Sequence, residues 1–140
     1  MSFTEEKIPS IVATLDAPGG EILLIGAHGW PPRNGYFVGL RARQLEDISE
    51  RARRASSHVV VLADLNTTPW GFAFRDFVRS SGLRDASRGQ GLQWTWPARN
   101  WPLAVPIDHA LVSEQVRVLG LETGPNIGSD HHPLVLDAGF

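Results

Sequence analysis

The chain has 140 residues, 42% apolar and 20% charged, which is enough hydrophobic material for one domain core and too much for a disordered polymer. Its 13 basic and 15 acidic residues give a formal charge of -2, excluding a global basic field for nucleic acid but not a local one. Cysteine is absent, which removes disulfide frameworks, Cys-ligated zinc and thiol nucleophiles.

Residues 1–9 read as a flexible tail, acidic at Glu5 and Glu6 and without the apolar centre of a signal peptide. The apolar runs, Val59–Ala63 among them, are far shorter than the roughly 18 residues a membrane span needs, so the chain reads as soluble. Ser10–Leu15 and Glu21–Ala27 are Ile/Val/Leu-rich and flank Ala17-Pro18-Gly19-Gly20, a strand–turn–strand signal. His28–Gly35 holds two prolines and two glycines and reads as a shaped loop. Leu40, Leu45, Ile48, Ala52 and Ala55 recur at helical spacing and predict a helix over Phe37–Ala55. Arg41, Arg43, Arg51, Arg53 and Arg54 are assigned to its solvated face, within reach of Glu46, Asp47 and Glu50. His58–Ala63 is a continuous apolar strand, typical of a buried position. A second helix is predicted over Gly71–Ser80, closed by Gly82. Three further strands are predicted at Pro106–Ser113, Val116–Glu122 and Pro133–Asp137. The fold class expected is α/β of the α+β type, a mostly antiparallel mixed sheet with both helices on one face.

Polar clusters sit at the strand ends, where a rigid sheet can hold reacting groups in place. They are His28, Asp64 with Asn66, Asp108 with His109, and Asp130 with His131 and His132. Asp64 and Asn66, two apart in extended chain, point to one side and suit a hard cation or a polarised water. The same residues before Thr67-Thr68-Pro69 also suit a turn or helix cap. Asp108 follows apolar Ile107 and needs a partner if buried, for which a histidine from elsewhere is the natural candidate. Adjacent histidines at 131 and 132 suit a metal site or a plain surface loop. A Gly-x-Ser-x-Gly elbow, a His-Glu-x-x-His zinc motif, a P-loop and a dinucleotide fingerprint are all absent.

The order of these motifs resembles the endonuclease/exonuclease/phosphatase superfamily. The resemblance rests on His28, Ala63-Asp64-Leu65-Asn66, Pro106-Ile107-Asp108-His109 and Ser129-Asp130-His131, in that order. Thr67-Thr68-Pro69-Trp70, Ser81-Gly82-Leu83-Arg84-Asp85, Thr95-Trp96-Pro97 and Leu111-Val112-Ser113 continue it. It implies a metal-dependent phosphodiester hydrolase, nuclease-like or phosphodiesterase, in the parent form. Asp64 would orient the attacking water or bind a second metal, and Asn66 would contact the phosphate and fix that carboxylate. Asp130 would ligate Mg²⁺ or Mn²⁺, with Asp64 and Asn66 as further candidates. His131 would bond the phosphate or take the water's proton, Asp108 would hold its tautomer, and His28 would touch the phosphate. His109 is expected to be structural and His132 part of the loop.

The resemblance covers residues 10–140 as the C-terminal half of a four-layer α/β/β/α sandwich. The family's early Asn and metal-ligating Glu find no counterpart here, so the isolated piece is expected to be impaired. Within the superfamily the chain most resembles a bacterial branch whose full-length members often carry membrane segments ahead of the domain. The native N-terminal half is an expected partner, and a homodimer through an otherwise uncovered sheet face is another. The substrate would be a phosphodiester of nucleic acid or a lipid head group. Trp94, Trp96, Trp101 and Arg99 would stack a base or meet lipid, and Arg84 and Arg88 would add positive charge near the cleft. The alternative is a non-catalytic remnant, a binding or assembly module that keeps the fold.

Overall fold

The computed structural model describes residues 10–140; the tail assigned to residues 1–9 lies outside them. β1 (Ile11–Ala17) and β2 (Gly20–His28) form the expected hairpin, with Gly20 at φ 120 in a conformation open to glycine. α1 (Gly35–Arg54) starts at Asn34, whose side chain accepts from the Phe37 N–H at 3.2 Å. β3 (His58–Asp64) follows, then α2 (Phe72–Ser81), which ends on Gly82 at φ 71, a left-handed cap. β4 is only Arg84–Asp85. It is too short for any periodicity to reveal. A 3₁₀ turn at Trp101–Leu103 precedes β5 (Asp108–Val112), β6 (Arg117–Thr123) and β7 (Leu134–Gly139).

The main sheet has the order β1-β2-β3-β5-β4, parallel only between β2 and β3, where α1 makes the crossover. Val59, Val61, Ile25 and Leu111 meet Leu45, Ile48 and Ala52 of α1 and Phe74 and Phe77 of α2 in one core. The opposite face carries Ile22, Val60 and Val112. β3 is therefore apolar at consecutive positions because both of its faces are buried.

β6 and β7 form a separate antiparallel pair. Its Val118, Leu121, Leu136 and Ala138 pack on Val60, Leu62, Ala110 and Val112. This corrects the expectation that nothing within the chain covers the sheet face away from the helices. Val116, fully buried in this same cluster, follows the turn after β5, where its N–H donates to the Ser113 carbonyl at 3.1 Å. The cover reaches β1 only at Ala17, and Ile11 stays 71% and Leu15 46% exposed.

Candidate active site

The pairing register builds the site. His28 at the end of β2 stands opposite Asp64 at the end of β3, and Asp64 stands opposite Asp108 at the start of β5. Side chains alternate along each strand, so these three share the face of Val60, Leu62 and Ala110, away from the helices. The β6–β7 connection then delivers His131 over the row. Its backbone neighbours are fastened to the tryptophan loop: Ala98 N–H donates to the Asp130 carbonyl at 2.8 Å, and His132 N–H donates to the Thr95 carbonyl at 2.8 Å.

The central contact is His131 Nδ1 to Asp108 Oδ2 at 2.8 Å. An ionised carboxylate can only accept, so Nδ1 carries the proton and Nε2 is left free. Nε2 lies 3.9 Å from Asp64 Oδ2, and His28 Nε2 approaches the same oxygen at 3.5 Å from the other side. Burial pushes the Asp64 carboxyl above its usual range, aided by the nearby Asp108 charge. The Asn66 N–H, His131 and His28 pull the other way.

Asn66 is brought to Asp64 by a route the sequence did not suggest. It lies past the strand at φ 48, in the left-handed region, so the pair is not two apart in extended chain. Its N–H donates to Asp64 Oδ1 at 2.8 Å, and its side-chain amide donates to the Gly29 carbonyl at 2.9 Å. The turn-forming and site-forming readings of this segment are thus the same structure.

Asp64, Asp108 and His131 each offer a ligand atom, all within 4.8 Å of one another. The carboxylates suit a hard divalent cation, while the imidazole, already bonded to Asp108, suits proton transfer. Asp130 lines the same cleft, but it is exposed, and its carboxylate lies outside this group, beside Ser129 Oγ at 3.5 Å. His109 is on the helix face of β5, donating from Nε2 to the Thr67 carbonyl at 2.7 Å and lying 4.3 Å from the Phe74 ring. Burial lowers its pKa, as suits a neutral structural imidazole. His132 donates from Nε2 to the Ala98 carbonyl at 3.2 Å.

The cleft has a volume of about 710 Å³. Trp96 forms one wall, 6.4 Å from the His131 ring, while Trp30 and Phe37, 5.0 Å apart, form another with Arg33. Sequence reading named Trp96 but missed Trp30, Arg33 and Phe37, whose only signal was their place in and after the loop that follows His28. Arg84 is not near the cleft. It pairs with Val112 at the far end of β5 and donates to the Val116 carbonyl at 2.7 Å. Arg41 is not on a solvated helix face either: it is 7% exposed.

The chain thus combines a mixed sheet, helices on one face, and an Asp–His pair beside a second Asp and an Asn at one end of that sheet. The Endonuclease/Exonuclease/phosphatase family pattern matches residues 3–131, and the chain belongs to that family. A search of curated protein sequences gives no match. Among solved structures, a family protein from Leptotrichia buccalis superposes with TM-score 0.72 at 18% identity, over 94% of this chain and 53% of the other. A mannosyl-6-phosphatase from Bacteroides thetaiotaomicron gives 0.67 at 19%, over 88% and 53%. A beta toxin variant from Staphylococcus aureus with bound magnesium ions gives 0.66 at 18%, over 91% and 56%. At these identities the likeness is one of fold, and the chain spans about half the length of the structures it matches.

Proposed function

We propose that this chain carries the Asp–His half of a divalent-metal-dependent phosphodiester hydrolase. The observation that carries the reading is the Asp108–His131 bond, set beside Asp64 on a floor of three adjacent strands. Asp108 holds the imidazole with Nε2 facing the cleft. A water between Nε2 and Asp64 Oδ2 would be oriented by the carboxylate and give its proton to the imidazole as it attacks phosphorus. Asn66 and His28 would contact the phosphate oxygens. Asp64 and Asp130, with Asn66, are the proposed holders of Mg²⁺ or Mn²⁺. When bound, such an ion supplies positive charge against the phosphate and the leaving oxygen. The apolar walls at Trp96 and Trp30 favour a phosphodiester with a base or lipid substituent over a bare phosphate ester.

The test is hydrolysis of bis-p-nitrophenyl phosphate by this chain with Mn²⁺, with Mg²⁺ and with EDTA. Turnover is expected to be slow, to need the metal, and to fall about 10²–10⁴-fold in His131→Ala. Turnover that survives EDTA or His131→Ala overturns the reading. Absence of both turnover and Mn²⁺ binding would favour the non-catalytic module.

A further inference from the structure

Arg41 is the unexpected member of α1. It continues the stripe of Leu45, Ile48 and Ala52, yet it is a buried cation. Among the described residues no carboxylate forms an ion pair with it. Burying a guanidinium costs free energy that a Met or Leu of similar size would not incur, so packing alone does not account for an arginine here. What it does is donate from Nη1 to the Asn66 carbonyl at 2.9 Å. Asn66 is the one non-glycine residue with positive φ among those described. One turn along the same helix, Gln44 Nε2 donates to the His28 carbonyl at 3.0 Å.

These bonds close a ring. From Arg41 the path runs to the Asn66 carbonyl, from the Asn66 amide to the Gly29 carbonyl, back one residue to His28, and through Gln44 to α1 again. Gly29 N–H braces the ring internally by donating to the Asp64 carbonyl at 2.6 Å.

We propose that Arg41 and Gln44 are positioning residues: an i, i+3 pair on α1 that holds Asn66 left-handed and His28 at its strand end, so that both side chains face the cleft. This rests on the reading above, which gives Asn66 and His28 the phosphate. The pair touches no substrate.

The experiment is amide NMR on the metal-free chain, comparing wild type with Arg41→Met, Arg41→Lys and Gln44→Leu. In Arg41→Met the Asn66 side-chain amide is expected to exchange at least tenfold faster and move toward its free-peptide shift, while the methyls of Val61 and Leu111 stay in place. Arg41→Lys, which keeps a donor, restores part of that protection. Gln44→Leu, which removes the donor to the His28 carbonyl, speeds exchange at the Gly29 amide by a similar factor while the Val61 and Leu111 methyls stay in place. An Asn66 amide within twofold of wild type in a folded Arg41→Met overturns the proposal. So does an equal loss of protection in the core and the site, which is the mark of a merely structural arginine. If Arg41→Met does not fold, Arg41→Lys and Gln44→Leu are read by the same criteria and decide. None of these signals needs metal or turnover, so a chain that hydrolyses nothing still separates a positioning arginine from a structural one.

Discussion

Asp64 shows what the site costs. Its carboxyl is held between two imidazoles and a second carboxylate, and burial raises its pKa from the ordinary 3.8. A carboxyl whose folded pKa is raised binds more protons folded than unfolded between the two values. Stability therefore falls as pH rises from 3.8 through the raised pKa, and the loss persists at neutral pH. Asp64→Asn keeps an oxygen to accept from the Asn66 N–H while removing the charge. In metal-free buffer it is expected to melt above wild type at pH 7, with the gap closing as pH falls below 3.8. Thermal melts across pH 3–8 check this; a lower melting point for Asp64→Asn at pH 7 would show that the charge is well accommodated. Active-site groups held against their own preference are where stability and function trade.

At the scale of elements, the two parallel strands are joined at their ends with little slack. Gly29 is buried directly after β2, and a Cβ there would stand 3.1 Å from the Leu65 carbonyl oxygen and 3.2 Å from the Leu65 carbonyl carbon and Cα. Those atoms are backbone and cannot rotate away, so a methyl must part the two strand ends. Gly29→Ala is expected to cost about 1–3 kcal/mol in urea unfolding, and to disturb the Asn66 amide more than any core methyl. A cost under about 0.5 kcal/mol, the range of a neutral surface change, would mean the ends are loose. The elements themselves were legible in the sequence: the Pro-Gly-Gly hairpin, the 40–55 apolar stripe and the two-sided β3 need only local pattern. Asp108 meeting His131 was legible only through the family resemblance, since the bond spans 23 residues and depends on where β6 and β7 fold back. Arg41 was misassigned because its charge outweighed its period, although 41, 45, 48 and 52 fall on one helix face. The covering of the sheet by β6–β7 was missed for a related reason: alternation tells which residues face a core, not which sheet a strand joins.

For the whole molecule, the question is what meets β1. Ile11, Ala13 and Leu15 point to the same side as Ile22 and Leu24, the side whose β6–β7 cluster takes in Ile22 and Leu24 of β2 but, of β1, only Ala17. The structures this chain resembles are about twice its length, so a second body on this face is consistent with them. In this chain alone the candidate is another copy, placed by a two-fold axis so that each β1 covers the other. Burying one large aliphatic side chain is worth about 1.5–3 kcal/mol. Four of them, Ile11 and Leu15 from each copy, are largely offset by the lost freedom of two bodies, about 4–15 kcal/mol. The expected outcome is weak self-association, visible near micromolar concentration and above as a concentration-dependent sedimentation coefficient. Ile11→Lys with Leu15→Lys should abolish it while leaving the circular dichroism spectrum unchanged, because both residues are exposed in the single chain. Lysine on an edge strand also opposes any new pairing there. A chain that stays monomeric at 100-fold higher concentration (about 100 µM) would show that β6–β7 is cover enough, and association that survives the double lysine variant would move the contact elsewhere.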